Sequence, residues 1–199
     1  MGLISLDLLP GELWVHAAYT GHLGSTVLFN VALELALDGA APVLVSLEST
    51  RDRCERILSK MHPSPERVRV EAAAPCPVCL HEVIHEDGCP EMDEPGDRVF
   101  TLDSVVALGN HVAWLQATGT PVTHLLVDHA GLLKERDPYG PLRTLAADRG
   151  ISVGVRHQVS RQGFRAATGR GFYTLGDLRG SCGRDAGEIT AAFSLDHER

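Results

Sequence analysis

Tyr19-Thr20-Gly21-His22-Leu23-Gly24-Ser25-Thr26 has the layout of a phosphate-binding loop with a serine where the lysine belongs. A loop of this kind reads Gly-x4-Gly-Lys-Ser/Thr. Its backbone N–H groups cradle phosphates, its lysine reaches the terminal phosphate oxygens, and its hydroxyl holds Mg²⁺. Here Gly24 and Thr26 stand, Tyr19 replaces the first glycine, and Ser25 replaces the lysine. The flanks fit the motif. Leu13 to Ala18 is apolar enough for a buried strand, and Val27 to Leu37 carries apolar residues at helical spacing without Pro or Gly. Strand, glycine turn and helix follow in the order a nucleotide site needs, with Gly21, Gly24, Ser25 and Thr26 as its candidate ligands. An ordinary βα turn, in which Gly24 only permits close packing, explains the loop alone equally well.

Working outward, Ala41 to Glu48 reads as a second apolar strand that stops at an acid, and Arg51 to Met61 as a helix started by Ser49 or Thr50. Helical spacing returns over Ser104 to Gln116. Thr123 to Asp128 is a buried strand ending in a carboxylate, either a metal-ordering acid beside the loop or a plain cap for the next turn. A helix near Pro141 to Asp148, a strand from Ile151 to Val155 and a last strand from Glu188 to Leu195 complete the pattern. Strands alternating with helices predict an α/β fold. Its mainly parallel sheet has helices on both faces, and its functional edge lies at the C-terminal strand ends.

The chain has 199 residues, of which 44% are hydrophobic, and this predicts one domain over residues 1–199. No run of about 18 apolar residues occurs, which argues against a membrane span. The start Met-Gly-Leu-Ile-Ser-Leu-Asp lacks a basic leader region and a cleavage site, so a cytoplasmic location is expected. A net charge of −8 argues against a globally nucleic-acid-binding surface. The segment Arg156 to Arg179 nevertheless carries five arginines against one acid, Asp177. It reads either as a flexible basic loop able to hold single-stranded nucleic acid or as a solvated loop, with Arg161, Arg165 and Arg170 as the candidate contacts.

Residues 62–97 break the βα pattern with prolines and acids and are expected to form a small Cys/His-bearing insertion. Within it, Cys76, Cys79, His85 and Cys89 give C-x2-C-x5-H-x3-C, the spacing of a compact structural zinc knuckle, with His81 as the competing fourth ligand. A redox or unliganded pair is the alternative. A bound metal would supply the stability that so polar a segment cannot gain from burial.

Taken together, these segments resemble the C-terminal motor domain of DnaB-type replicative helicases, within the RecA-like ATPases. The resemblance rests on Pro10-Gly11-Glu12-Leu13 before the first strand, on Ser46-Leu47-Glu48, and on the strand HLLVDHAGLL from His124 to Leu133. It extends to LRTLAADRGISVGVRHQVSR from Leu142 to Arg161 and to Gly176 to Ser181 with Asp185-Ala186. It implies a RecA-like fold bound to ATP with Mg²⁺. It also implies Thr26 for the metal, Glu48 as the catalytic glutamate, Asp128 for the metal, Gln158 as a sensor, and Arg161 to Arg170 as a DNA contact.

The departures set the functional expectation. Lysine occurs only at Lys60 and Lys134, so no neighbouring residue is expected to stand in for the lysine missing from the loop. The chain ends at Arg199, about where the resemblance places the strand leading to an arginine finger, and the family's N-terminal domain has no counterpart. Loss of a finger costs roughly 10³–10⁵ in rate. The expectation is a degenerate domain with no ATPase activity or very little, acting in DNA replication or repair by binding a protein partner or a second copy of itself. Weak nucleotide or single-stranded DNA binding would remain. An active motor completed by another subunit and a zinc-stabilised regulatory scaffold are the alternatives.

Overall fold

The computed structural model describes residues 9–19, 24–72, 102–170 and 191–194. In chain order the elements are β1 (Leu13–Ala18), α1 (Gly24–Leu37), β2 (Pro42–Ser46), α2 (Arg51–Met61), β3 (Arg69–Ala72) and α3 (Val105–Ala117). They continue with β4 (His124–Asp128), α4 (Tyr139–Arg149), β5 (Ser152–Gln158), α5 (Arg161–Arg170) and β6 (Ala191–Ser194). Among the described residues the strands form one six-stranded sheet in the order β3-β2-β4-β5-β1-β6. Every pairing is parallel. This is the expected α/β architecture.

Strand periodicity separates two cores, because successive side chains leave opposite faces of the sheet. Leu13 and Val15 of β1, Val43 and Val45 of β2, Leu125 and Val127 of β4, and Val153 and Val155 of β5 pack on one face. There they meet Leu108, Val112 and Leu115 of α3 and Leu142 and Ala146 of α4. Trp14, Leu44 and Leu126 pack on the other face, under Leu28, Phe29, Ala32 and Leu33 of α1 and Cys54 and Leu58 of α2. Gly154 lies on this second face, opposite Trp14 in register. A Cβ on Gly154 would come within 2.0 Å of the Trp14 ring, so the indole lies where a side chain would otherwise stand.

Local signals account for several boundaries. Ser104 caps α3 by accepting a hydrogen bond from the Ala107 N–H, and Gly150 ends α4 in the left-handed conformation at φ 62°. Thr50 stands at the start of α2 without a side-chain cap bond. Cys54 is buried in the α1/α2 core.

Two expectations need correction. The stretch expected as an insertion from His62 begins as part of the core, because Arg69–Ala72 pairs with β2 as the edge strand of the sheet. Val68 and Val70 are buried while Arg69 is exposed, an alternation too short to stand out among the flanking prolines. Cys76, Cys79, His81, His85 and Cys89 lie outside the described residues. Residues 161–170, expected as a flexible loop, form α5. Its first turn is secured by Ser160, whose Oγ accepts from the Gly163 N–H at 2.9 Å and whose carbonyl accepts from the Phe164 N–H at 2.8 Å. Phe164 then stacks on Tyr19 with ring centroids 4.2 Å apart. Such packing outweighs the roughly 1 kcal/mol helix penalty of each glycine.

Among the described residues no helix is long and apolar enough to cross a membrane.

Candidate functional site

Parallel register lines up one residue from each of four strands. Ser46 of β2 pairs with Asp128 of β4, Asp128 with Arg156 of β5, and Arg156 with His16 of β1. All four belong to the face covered by α1 and α2, and they lie toward the C-terminal ends of their strands. The N-terminus of α1 faces the row. A cleft of about 370 Å³ opens there, lined among others by Gly24, Ser25, Thr26, Glu48, Asp128 and Arg156.

Arg156 dominates the cleft. Its Nη1 donates to Ser25 Oγ at 2.9 Å and its Nη2 to Glu48 Oε2 at 3.2 Å. Its Nε stands 2.9 Å from Asp128 Oδ1, close enough for an ion pair although the N–H is not aligned on the oxygen as a hydrogen bond. Only 12% of the Arg156 side chain and 3% of the Asp128 side chain is exposed, against 53% for Glu48. The expectation that no neighbouring cation serves the loop is therefore corrected in one respect. No lysine does, but an arginine from β5 touches the serine that took the lysine's place. Sequence reasoning counted Arg156 with the basic segment and missed this role. The available signal was a lone charge at the end of the apolar run Ile151 to Val155, on the edge where α/β sheets place their sites.

Gly24 admits the arrangement. A Cβ there would lie 2.8 Å from the Ala18 Cβ and 2.9 Å from the Arg156 Cδ, so any larger residue would push the start of α1 away from the guanidinium.

Burial and charge set the protonation states. Burial pushes the Asp128 carboxyl above its ordinary range, opposed by the attraction of Arg156 and a contact with Ser25 and reinforced by the repulsion of Glu48. Burial, together with the adjacent Arg156 cation, lowers His16 from 6.5 to about 4, so this core histidine is neutral at pH 7.

The other expected residues divide. Glu48, Asp128, Gln158, Gly24, Ser25 and Thr26 all line the one cleft. Gly21 lies outside the described residues. Arg161, Arg165 and Arg170 are exposed on α5 and line no part of the cleft. Arg53, which belongs to none of the sequence motifs, also lines the cleft from the first turn of α2. His129 and His157 are buried, His157 against the Tyr139 hydroxyl.

No protein-family model matches the chain, and no curated protein does. Solved structures do match. A DnaB-like replicative helicase, described together with its interactions with primase, superposes with a TM-score of 0.69 at 13% identity over 96% of this chain and 48% of its own. A second solved structure, described as an ATPase domain, superposes with a TM-score of 0.66 at 14% identity over 95% of this chain and 70% of its own. This chain has the fold of a DnaB-type RecA-like domain. It spans about half the length of the first of those two chains.

Within this RecA-like domain the donors for Mg²⁺ do not suit the ion. Mg²⁺ needs oxygen ligands at about 2.0–2.1 Å in near-octahedral order. Asp128, which would have to supply one, has Arg156 Nε 2.9 Å from its Oδ1, and Glu48 is held by the same guanidinium. Among the described residues no group of three or more His, Cys, Asp and Glu side chains is arranged to hold a metal ion by itself. The hydroxyls of Ser25 and Thr26 at the start of α1 remain suited to phosphate oxygens.

Proposed function

We propose that this RecA-like domain works in DNA replication or repair through protein partners, as a degenerate relative of helicase motors that holds a nucleotide weakly and does not turn it over at an enzymatic rate. The observation that carries the reading is the ion pairing of Arg156 with both Glu48 and Asp128. A glutamate that activates water must be free to take its proton, and a carboxylate that orders Mg²⁺ must be free to face the ion. In this cleft one arginine engages both acids. The likeness to helicase ATPase domains supports the fold-level part of the reading, and the replacement of the loop lysine by Ser25 supports the loss of turnover.

Three further parts belong to the proposal. Arg161, Arg165 and Arg170 of α5 contact single-stranded DNA. Cys76, Cys79, Cys89 and His85 or His81 hold a structural Zn²⁺ in a small knob that serves partner docking. The domain assembles with a partner or with itself in the cytoplasm.

A phosphate-release assay with ATP and Mg²⁺, with and without single-stranded DNA, tests the central claim. Turnover far below about 1 s⁻¹ is expected. Turnover at or above that rate, abolished by Glu48→Gln, would overturn the reading in favour of a motor completed by another subunit.

A further inference from the structure

The guanidinium of Arg156 has five N–H groups. One on Nη1 is given to Ser25 and one on Nη2 to Glu48, while the Nε–H faces Asp128. Among the described residues one N–H on each Nη is not engaged, and a guanidinium presents its donors as a planar fork suited to two oxygens of a phosphate. The fork stands in a cleft of about 370 Å³, within the usual range for small-ligand sites. Ser25 and Thr26 offer hydroxyls beside it at the first turn of the 14-residue α1. Arg53 adds a second cation on the cleft wall and has no ion pair among the described residues. Tyr19, Phe29 and Ile57 supply apolar wall for a base or sugar.

We propose that Arg156 is the resident cation of this cleft, and that the cleft binds the phosphates of a nucleoside polyphosphate without a divalent metal. The inference rests on the nucleotide-holding part of the proposed function and deepens it. In a phosphate-binding loop of the usual kind the lysine and Mg²⁺ divide the charge between them. Here a single side chain from β5 occupies the space between the loop residue and the two acids, so a divalent ion would have to share Asp128 with a fixed positive charge. The ligand charge is then met by Arg156 and Arg53. Metal-free nucleotide, which carries more negative charge than its Mg²⁺ complex, is the better partner for such a site.

Calorimetric titration with ATP and with inorganic tripolyphosphate tests this, each in EDTA and in excess Mg²⁺, on the unmodified chain, Arg156→Ala and Arg156→Lys. The unmodified chain is expected to bind both ligands in EDTA at least as tightly as with Mg²⁺. Arg156→Ala should lose about tenfold or more in EDTA, and should recover part of that loss with Mg²⁺ because Asp128 and Glu48 are released. Arg156→Lys, which keeps the charge without the fork, should fall between. Binding that weakens tenfold when Mg²⁺ is removed overturns the inference. So does unchanged affinity in both variants, or no binding of either ligand in EDTA. If Arg156→Ala does not fold by circular dichroism, the metal comparison on the unmodified chain and Arg156→Lys decide. Mg²⁺-dependent binding without turnover would overturn this inference alone, whereas turnover abolished by Glu48→Gln would overturn the proposed function.

Discussion

His16, Arg156 and Asp128 stand side by side across three strands, and the Arg156 cation acts to lower the pKa of both neighbours. His16 titrates at 6.5 in the unfolded chain and at about 4 in the fold. Between those values the unfolded chain binds more protons, so stability rises with pH there and is lost as pH falls from 6.5 toward 4. The loss from this group should amount to about 2–3 kcal/mol near pH 4.5. Asp128 acts with the opposite sign. Its raised pKa means that the fold takes up a proton more readily than the unfolded chain, so acid relieves part of its burial cost. Urea unfolding at pH 7 and at about pH 4.5, on the unmodified chain and on His16→Leu, separates the two. The variant should lose about 2–3 kcal/mol less on acidification, and equal losses in both proteins would show that the fold does not disfavour the charged imidazole. At this scale the acids were legible, since Glu48 and Asp128 each close an apolar run. Arg156 was not, because nothing local tells a strand-end arginine that enters a cleft from one that leaves it for solvent.

Helix α5 shows how an element alters the meaning of residues already singled out. In a loop, Arg161, Arg165 and Arg170 could converge on one strand of nucleic acid. On a helix of 3.6 residues per turn, Arg161 and Arg165 share a face, and Arg170 falls about half a turn away from Arg161. Single-stranded DNA, if held by α5, should therefore meet Arg161 and Arg165 together. The double variant Arg161→Ala/Arg165→Ala should weaken binding and flatten its salt dependence by about 1.4 in the logarithmic slope, roughly 0.7 for each phosphate no longer neutralised. Arg170→Ala should have the smaller effect. Fluorescence anisotropy of labelled single strands at two salt concentrations reads both quantities, and an unchanged slope in the double variant would remove α5 from the interface. The glycines at 163 and 169 and the dense charge pointed to a loop. The deciding contacts are Ser160 at the helix start and Phe164 on Tyr19, and the partner of the second pair lies far away in sequence.

For the whole molecule, the sheet and the cysteine-bearing segment should respond separately to metal. The chain purified without added metal should carry one Zn²⁺, bound more weakly at acid pH because its thiolates must be deprotonated. A chelator should speed amide exchange over residues 73–97 and leave β1, β2, β4 and β5 protected, since their ladders and two apolar cores require no metal. Substoichiometric zinc by elemental analysis, or a Cys76–Cys79 disulfide in fresh protein, would refute the zinc assignment. The sequence alone determined the order of β1, α1, β2, α2, α3, β4, α4, β5 and β6, the parallel α/β class, the two strand-end acids and the serine in place of lysine. Each of these is written within a single local window of period 2 or 3.6. Only the tertiary structure decided that β5 lies between β4 and β1, which sets Arg156 beside Asp128 and His16 and against Ser25. It also decided that residues 69–72 close the edge of the sheet. Strand order and register come from packing both faces of the sheet at once, and residues that meet in that way carry no mark of one another in the linear chain.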